Sequence, residues 1–212
     1  MFTGIVEEKG SIRSIKQLNH ALKLQIEAKK VLEDVSIGDS IAVNGVCLTV
    51  TAYTTTTFTV DVIPETFRGS SLSELSSQSI VNLERAMSFN GRFGGHFVSG
   101  HIDTVGKIAR TWLEDNAKYI YINVPHTKYV ALKGSITVDG TSLTVFNVDD
   151  SGFTISLIPE TQAATILGDK NQGDTVNIEF DMLAKYMERL METSHHKQES
   201  NLTEEKLRQF GF

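Results

Sequence analysis

Cys47 and His101 are the candidate side chains for nucleophilic and proton-transfer chemistry. A thiolate attacks electrophiles when a cation or base lowers the thiol pKa. An imidazole moves protons in the physiological range. Cys47 lies in Val46-Cys47-Leu48-Thr49-Val50, which alternates like a strand, so it serves equally as a small buried hydrophobe. His101 closes the segment Gly94-Gly95-His96-Phe97-Val98-Ser99-Gly100-His101, either as a general acid or base or as a satisfied structural histidine. His96 and His101 are five apart, so on an extended segment their rings face opposite sides and share no metal. His195 and His196 stand together in a polar tail and read as solvated. Gly91-Arg92-Phe93-Gly94-Gly95 lacks the glycine spacing of a dinucleotide fingerprint, and no strand–helix–strand unit follows it.

These residues sit in a repeat. Residues 40–50 read SIAVNGVCLTV and residues 135–145 read SITVDGTSLTV, with seven of eleven positions identical at an offset of 95. At that offset IPET (63–66) returns at 158–161, and VNLE (81–84) returns as VNIE (176–179). GIVEEKGSI from Gly4 matches GHIDTVGKI from Gly100 at an offset of 96. The chain is therefore two copies of one unit. Residues common to both copies read mostly as fold, such as Gly45/Gly140, Leu48/Leu143 and Val50/Val145. Shared polar pairs serve as fold or as a duplicated site: Ser40/Ser135, Thr49/Thr144, Glu65/Glu160 and Thr66/Thr161. Matched positions that differ are where two sites take different roles: Cys47 against Ser142, Asn44 against Asp139, Ile5 against His101, Ala86 against Asp181, and Gly38 against Lys133.

The elements that must position them are strands. Segments 40–43, 58–63, 119–124 and 153–158 alternate with period two and are rich in Val, Ile and Thr. Turn signals separate them at Gly38-Asp39, Asn44-Gly45, Asp139-Gly140 and Gly173-Asp174. Many short strands in about 90 residues predict a small antiparallel barrel for each copy. Helical turns are expected around 30–34, 71–75 and 126–132. The doubled IPET ends a strand, because proline cannot donate to a ladder. It either exposes an edge whose backbone groups can pair with the rim of a flat heterocycle, or is simply a turn. Leu183, Tyr186, Met187, Leu190 and Met191 fall at i, i+3, i+4, i+7 and i+8, which predicts an amphipathic helix. Its stripe packs on its own barrel or drives self-association. A second tail helix is predicted from Asn201 as N-cap and Glu204, with Leu207 and Phe210 apolar.

Composition narrows the classes. The 212 residues allow one or two domains. Hydrophobic residues are 40% and charged residues 22%, ordinary for a globular protein and inconsistent with general disorder. A net charge of −6 without a basic cluster argues against nucleic-acid binding. No apolar stretch approaches the roughly 20 residues of a membrane helix. The start, MFTGIVEEKG, lacks the basic region of a signal peptide. With Cys47 alone, no intrachain disulfide forms, and a cytoplasmic location is expected.

MFTGIV, NGVCLTV, GGHFVSGHID, DGTSLTV and the doubled IPET, in that order, resemble the riboflavin synthase family of duplicated lumazine-binding barrels. The resemblance covers 1–190 and leaves out 195–212. It implies an all-β fold of two tandem homologous six-stranded antiparallel Greek-key barrels plus a C-terminal α-helix. The expected divisions are 1–96, 97–182 and a helical tail over 183–212. It implies a homotrimer through 183–194, leaves room for association with lumazine synthase, and requires no metal or cofactor. The implied reaction is a dismutation in which two molecules of 6,7-dimethyl-8-ribityllumazine exchange a four-carbon unit, giving riboflavin and 5-amino-6-(D-ribitylamino)uracil.

Carried over by motif, the first-barrel contacts with lumazine are Gly4, Ile5 and Val6, then Cys47, Leu48 and Thr49, then Asp61, Val62, Ile63, Pro64, Glu65 and Thr66. In the second barrel they are Gly100, His101 and Ile102, with Lys133, then Ser142, Leu143 and Thr144, then Ser156, Leu157, Ile158, Pro159, Glu160 and Thr161. Phe2, Ser40, Cys47, His101, Asp139, Ser142, Thr144 and Asp181 match positions that the family associates with catalysis or site structure. The working site is expected between the first barrel of one subunit and the second of its neighbour. There His101, Thr144 and Ser142 assist deprotonation of the 7-methyl group of one lumazine. Cys47, or a water placed by Ser40, adds to C7 of the other. Two readings compete: a non-catalytic lumazine or flavin carrier on the same fold, and a flavin reductase, for whose nicotinamide domain the chain has no room.

Overall fold

The computed structural model describes residues 1–18, 21–195 and 208–211, and the chain divides into two compact units, Met1–Asp181 and Met182–Phe212. The first unit holds two closed barrels. One contains β1 (Glu8–Leu18), β2 (Ala21–Glu27), β3 (Ser40–Val43), β4 (Val46–Tyr53), β5 (Thr57–Val62) and β6 (Ile80–Arg85). The other contains β7 (Thr104–Glu114), β8 (Ala117–Asn123), β9 (Ser135–Val138), β10 (Thr141–Val148), β11 (Gly152–Leu157) and β12 (Thr175–Phe180). The order β1-β2-β5-β4-β3-β6 is repeated strand for strand in the second barrel, and all pairs are antiparallel. The two six-stranded Greek-key barrels implied by the family resemblance are therefore present.

Local chemistry explains the corners. Asn44-Gly45 joins β3 to β4 with φ of +47° and +82°, and Asp139-Gly140 joins β9 to β10 with +44° and +78°. Two consecutive positive φ values define the hairpin turn that Asn-Gly and Asp-Gly favour. Register shifts at Val50/Ala52 and at Val145/Asn147 put a bulge at the same point of each copy, bending the strand around its barrel. Alternation fills each interior: Ile12, Leu24, Phe58 and Leu83 in the first, Ile108, Ile120, Phe153 and Ile178 in the second, all fully or almost fully buried.

The helical turns partly differ from expectation. Those at Lys30–Leu32 and Ser71–Glu74 form, whereas 126–132 holds only turns and irregular chain. Both IPET motifs instead open short helices, α1 (Pro64–Arg68) and α2 (Pro159–Ala164). Each begins with proline at its first turn, where the fixed φ suits a helix and the missing N–H has no partner to lose. The second unit contains α3 (Met182–His195), whose Leu183, Tyr186, Met187, Leu190 and Met191 are all exposed. The second tail helix lies outside the described residues except for 208–211. No helix among the described residues is long and apolar enough to cross a membrane.

The barrels are joined by reciprocal contacts. Asn82 Nδ2 donates to the Asp139 carbonyl and Asn177 Nδ2 to the Asn44 carbonyl, each at 2.8 Å. Their Oδ1 atoms accept the N–H of Ile166 (2.9 Å) and of Ser71 (2.6 Å) from the opposite copy. Gly45 and Gly140 touch, since a Cβ on either would stand 2.7 Å from the other's backbone nitrogen.

Candidate active site

The side chains with chemistry lie on the outer faces of the barrels. Ser40 pairs with Thr49 and Ala42 with Cys47 across β3 and β4, while Ile41, Val43, Leu48 and Val50 point inward. Cross-strand partners share a face. In the second barrel Ser135 pairs with Thr144 and Thr137 with Ser142 in the same way. Of the expected lumazine contacts, Leu48, Val62, Leu143 and Leu157 are core residues, so they offer a ligand only backbone groups. Ile63 and Ile158 are 61% and 62% exposed, at the start of α1 and α2 that Pro64, Glu65, Thr66 and Pro159, Glu160, Thr161 begin. Asp61 faces solvent and pairs with Lys23 at 3.4 Å. Ser156 is half-buried opposite Tyr119. Lys133 takes φ of +62° where its counterpart Gly38 takes +96°, and its ammonium stands 4.9 Å over the Phe146 ring.

A crossing segment holds each face. Glu84 accepts the Thr3 N–H and hydroxyl, both at 2.7 Å, and the Gly4 N–H at 3.0 Å. Glu179 does the same for Ser99 N–H (2.7 Å), Ser99 hydroxyl (2.6 Å) and Gly100 N–H (2.9 Å). From these anchors the segments reach the opposite barrel. The Gly4 carbonyl accepts Ser142 N–H at 2.7 Å, and the Gly100 carbonyl accepts Cys47 N–H at 2.8 Å. Phe2 and Val98 bond to each other across the junction. The expected first-barrel contact Gly4 thus touches second-barrel Ser142, and Gly100, beside His101, touches first-barrel Cys47. Phe2 is fully buried with Ala42 and Val98, and Cys47 packs against that cluster. Burial pushes the Glu84 carboxyl above its usual range despite its donors.

Beside Ser40 lies a cavity of about 590 Å³, lined by Thr3, Ile5, Ser40, Glu84, Arg85 and Ala86 together with the linker through Gly94. Its volume suits a drug-sized ligand. Arg85 grips Glu7 through Nη2 (2.6 Å) and Nε (3.1 Å), and reaches Asp34 at 2.5 Å. Burial opposes ionisation of Glu7, but the bonds and charge from Arg85 outweigh it and hold the carboxyl below its usual range. The cavity brings Ile5 and Ser40 together; Cys47 lies on the same face but outside its lining. Ala86 N–H bonds the Ser40 carbonyl at 3.0 Å. Asp139, fully buried, serves the barrel junction: its Oδ1 accepts Asn177 N–H at 2.8 Å. No cluster of three His, Cys, Asp or Glu among the described residues is arranged for a metal.

Sequence reasoning passed over three participants. Glu84 and Glu179 were visible as the last residue of the repeated VNLE and VNIE. His96 stands with Nδ1 2.7 Å from Ser142 Oγ. The Gly94-Gly95 pair before it was the available signal, because a Cβ on Gly95 would press on Ser142.

Two barrels of one topology, each presenting a matched outer face, define a tandem ligand-binding protein. The model of the lumazine binding domain matches residues 3–86 and 99–181, and the chain belongs to that family. Within it, the chain is similar to riboflavin synthases over its whole length. It is 52% identical over 215 residues to riboflavin synthase of Bacillus subtilis (strain 168), covering 100% of both chains. With riboflavin synthase of Schizosaccharomyces pombe it shares 44% over 197 residues, covering 91% of this chain and 94% of that one. Among solved structures, LumP complexed with 6,7-dimethyl-8-(1'-D-ribityl) lumazine matches with a TM-score of 0.76 and 27% identity, covering 84% of this chain and 98% of that one. LumP complexed with riboflavin gives 0.78 and 26%, covering 85% and 99%.

Proposed function

We infer that this chain is a transferase with riboflavin synthase activity, converting two 6,7-dimethyl-8-ribityllumazine molecules into riboflavin and 5-amino-6-(D-ribitylamino)uracil. The observation that carries this is the end-to-end identity with riboflavin synthases on a fold that presents two matched outer faces. A dismutation needs two copies of one substrate in register, and held reactants gain several kcal/mol from proximity. It also needs the copies to react differently, and the faces differ at Cys47/Ser142 and Ile5/His101. In this reading the 7-methyl protons of one lumazine are acidic because the carbanion delocalises into the ring. Ser142, Thr144 and His101 assist their removal. Cys47, or water oriented by Ser40 at its cavity, adds to C7 of the second molecule. The carrier reading draws on the LumP structures, whose identity to this chain is lower. Purified protein given 6,7-dimethyl-8-ribityllumazine alone is expected to form one riboflavin per two lumazines consumed. Saturable binding without riboflavin would make it a carrier.

The proposed divisions are lumazine-binding barrels over 1–96 and 97–182, and an assembly tail over 183–212, in a cytoplasmic protein with reduced Cys47. The exposed apolar stripe of α3 supports a homotrimer. Association with lumazine synthase is a further partner left to test by co-purification. Light scattering is expected to give three times the 23.4 kDa chain mass. Leu190→Glu, which puts a charge in the stripe, should reduce that to one chain mass. A trimer that survives Leu190→Glu would move the interface elsewhere.

A further inference from the structure

Ser142 is tied to a histidine that reaches it from the segment before the second barrel. His96 Nδ1 stands 2.7 Å from Ser142 Oγ, and Nε2 stands 3.1 Å from Thr137 Oγ1. Thr137 and Ser142 are cross-strand neighbours, so one ring bridges both hydroxyls. The ring is fixed from behind. His96 N–H donates to the Thr3 carbonyl at 3.1 Å, and the next residue, Gly4, accepts Ser142 N–H at 2.7 Å. Gly95 permits this approach, since a Cβ there would meet the Thr3 carbonyl and stand 3.0 Å from Ser142 Oγ. In the first copy Cys47 stands in place of Ser142 and packs against an apolar cluster.

Both distances fit the tautomer in which Ser142 donates to Nδ1 and Nε2–H donates to Thr137 Oγ1, and the role proposed here takes that tautomer. We propose that His96 is a positioning residue of the second-barrel face, turning the Ser142 oxygen lone pairs outward as the acceptor of a substrate proton. The role rests on the riboflavin synthase reading. As the C–H bond of the 7-methyl group breaks, its proton passes to Ser142 Oγ and the hydroxyl proton passes to His96 Nδ1. The electron pair stays on the substrate as a delocalised carbanion, and the reverse transfer returns both protons. The imidazolium so formed has the Asp181 and Glu179 carboxylates near it. Proton work then belongs to the second barrel, and the Cys47 face takes the other half of the reaction.

The test compares wild type, His96→Gln, Ser142→Ala and the double variant in two assays: turnover of 6,7-dimethyl-8-ribityllumazine from pH 5 to 9, and exchange of its 7-methyl protons in D2O by NMR. His96→Gln is expected to lower kcat and exchange by roughly 10²-fold, the low end for an acid–base group, with KM little changed. Burial lowers the His96 pKa below 6.5, against the pull of Asp181 and Glu179. Nδ1 accepts only when neutral, so wild-type kcat falls as pH drops through that lowered value. His96→Gln abolishes this acid limb. On the Ser142→Ala background it adds nothing further. If His96→Gln fails to fold, Thr137→Val, which frees the tautomer, should lower kcat while keeping the limb. Wild-type kcat with an unchanged limb in His96→Gln, or additive losses in the double variant, would overturn the positioning role and leave the function standing. A wild type that neither turns over nor exchanges would overturn both.

Discussion

The Lys170→Leu variant is expected to lose about 3–5 kcal/mol of stability, the usual cost of stranding one partner of a buried ion pair. For a chain of this size that is a fall of about 10 °C in Tm by calorimetry. Lys170 Nζ stands 3.4 Å from Asp139 Oδ2, which is fully buried. Burial raises the Asp139 carboxyl above its usual range. The folded state therefore holds this proton more tightly than the unfolded chain. Stability falls as pH rises from the ordinary carboxyl value of 3.8 through the raised folded value. Without Lys170 that window widens upward, so the deficit should be larger at pH 8 than at pH 5. The first copy supplies the control: Asn44 and Leu75 occupy the positions of Asp139 and Lys170, and Asn44 Oδ1 accepts Asn82 N–H just as Asp139 Oδ1 accepts Asn177 N–H. Asp139→Asn combined with Lys170→Leu copies that neutral arrangement and should recover most of the loss. A single variant as stable as wild type would show that the pair contributes nothing.

Gly100→Ala is expected to lower turnover by more than about 100-fold, on the scale that small misplacements of reacting groups reach. Gly100 has φ of +83°, and its new Cβ would stand 2.5 Å from Cys47 Cβ and 2.9 Å from Phe2 Cε2. The left-handed backbone costs alanine about 1–2 kcal/mol. Relieving the clash moves either β4 at Cys47 or the Phe2 plug. Reaction of the Cys47 thiol with a disulfide reagent should change in the same variant. Gly173→Ala is the comparison, since Gly173 has φ of +95° but no atom within 4 Å of its Cβ. It should show the backbone cost in Tm and keep wild-type kcat. Equal turnover in both variants would remove the Gly100 contact from the site's machinery.

The repeat made the barrels legible, because hairpin turns and alternating strands are local and appear twice. Asn44-Gly45 and Asp139-Gly140 announced their turns by residue type alone. The IPET helices were less readable: proline ends a strand and begins a helix with equal ease, and only the chain after it decides. The site was harder still. Glu84 and Glu179 repeat visibly, but nothing local says that they bind backbone N–H groups of residues about 80 positions away. The spacing of His96 from His101 points away from a shared site, whereas its partner Ser142 lies 46 residues further along the chain. The Asp139–Lys170 pair also needs three dimensions, because 31 residues separate its members.

The crossing segments also set an order of assembly during synthesis. At roughly 5–20 residues per second, Ser142 leaves the ribosome many seconds after Gly4. Until then the first segment lacks the strand it bonds, and the N–H of Cys47 waits for Gly100. Such distant pairings are slow to close. The first barrel can curl up early, yet both reactive faces are finished only in the closing moments of folding. A chain released before its second barrel is whole therefore carries a complete Cys47 sequence and an unfinished Cys47 surface.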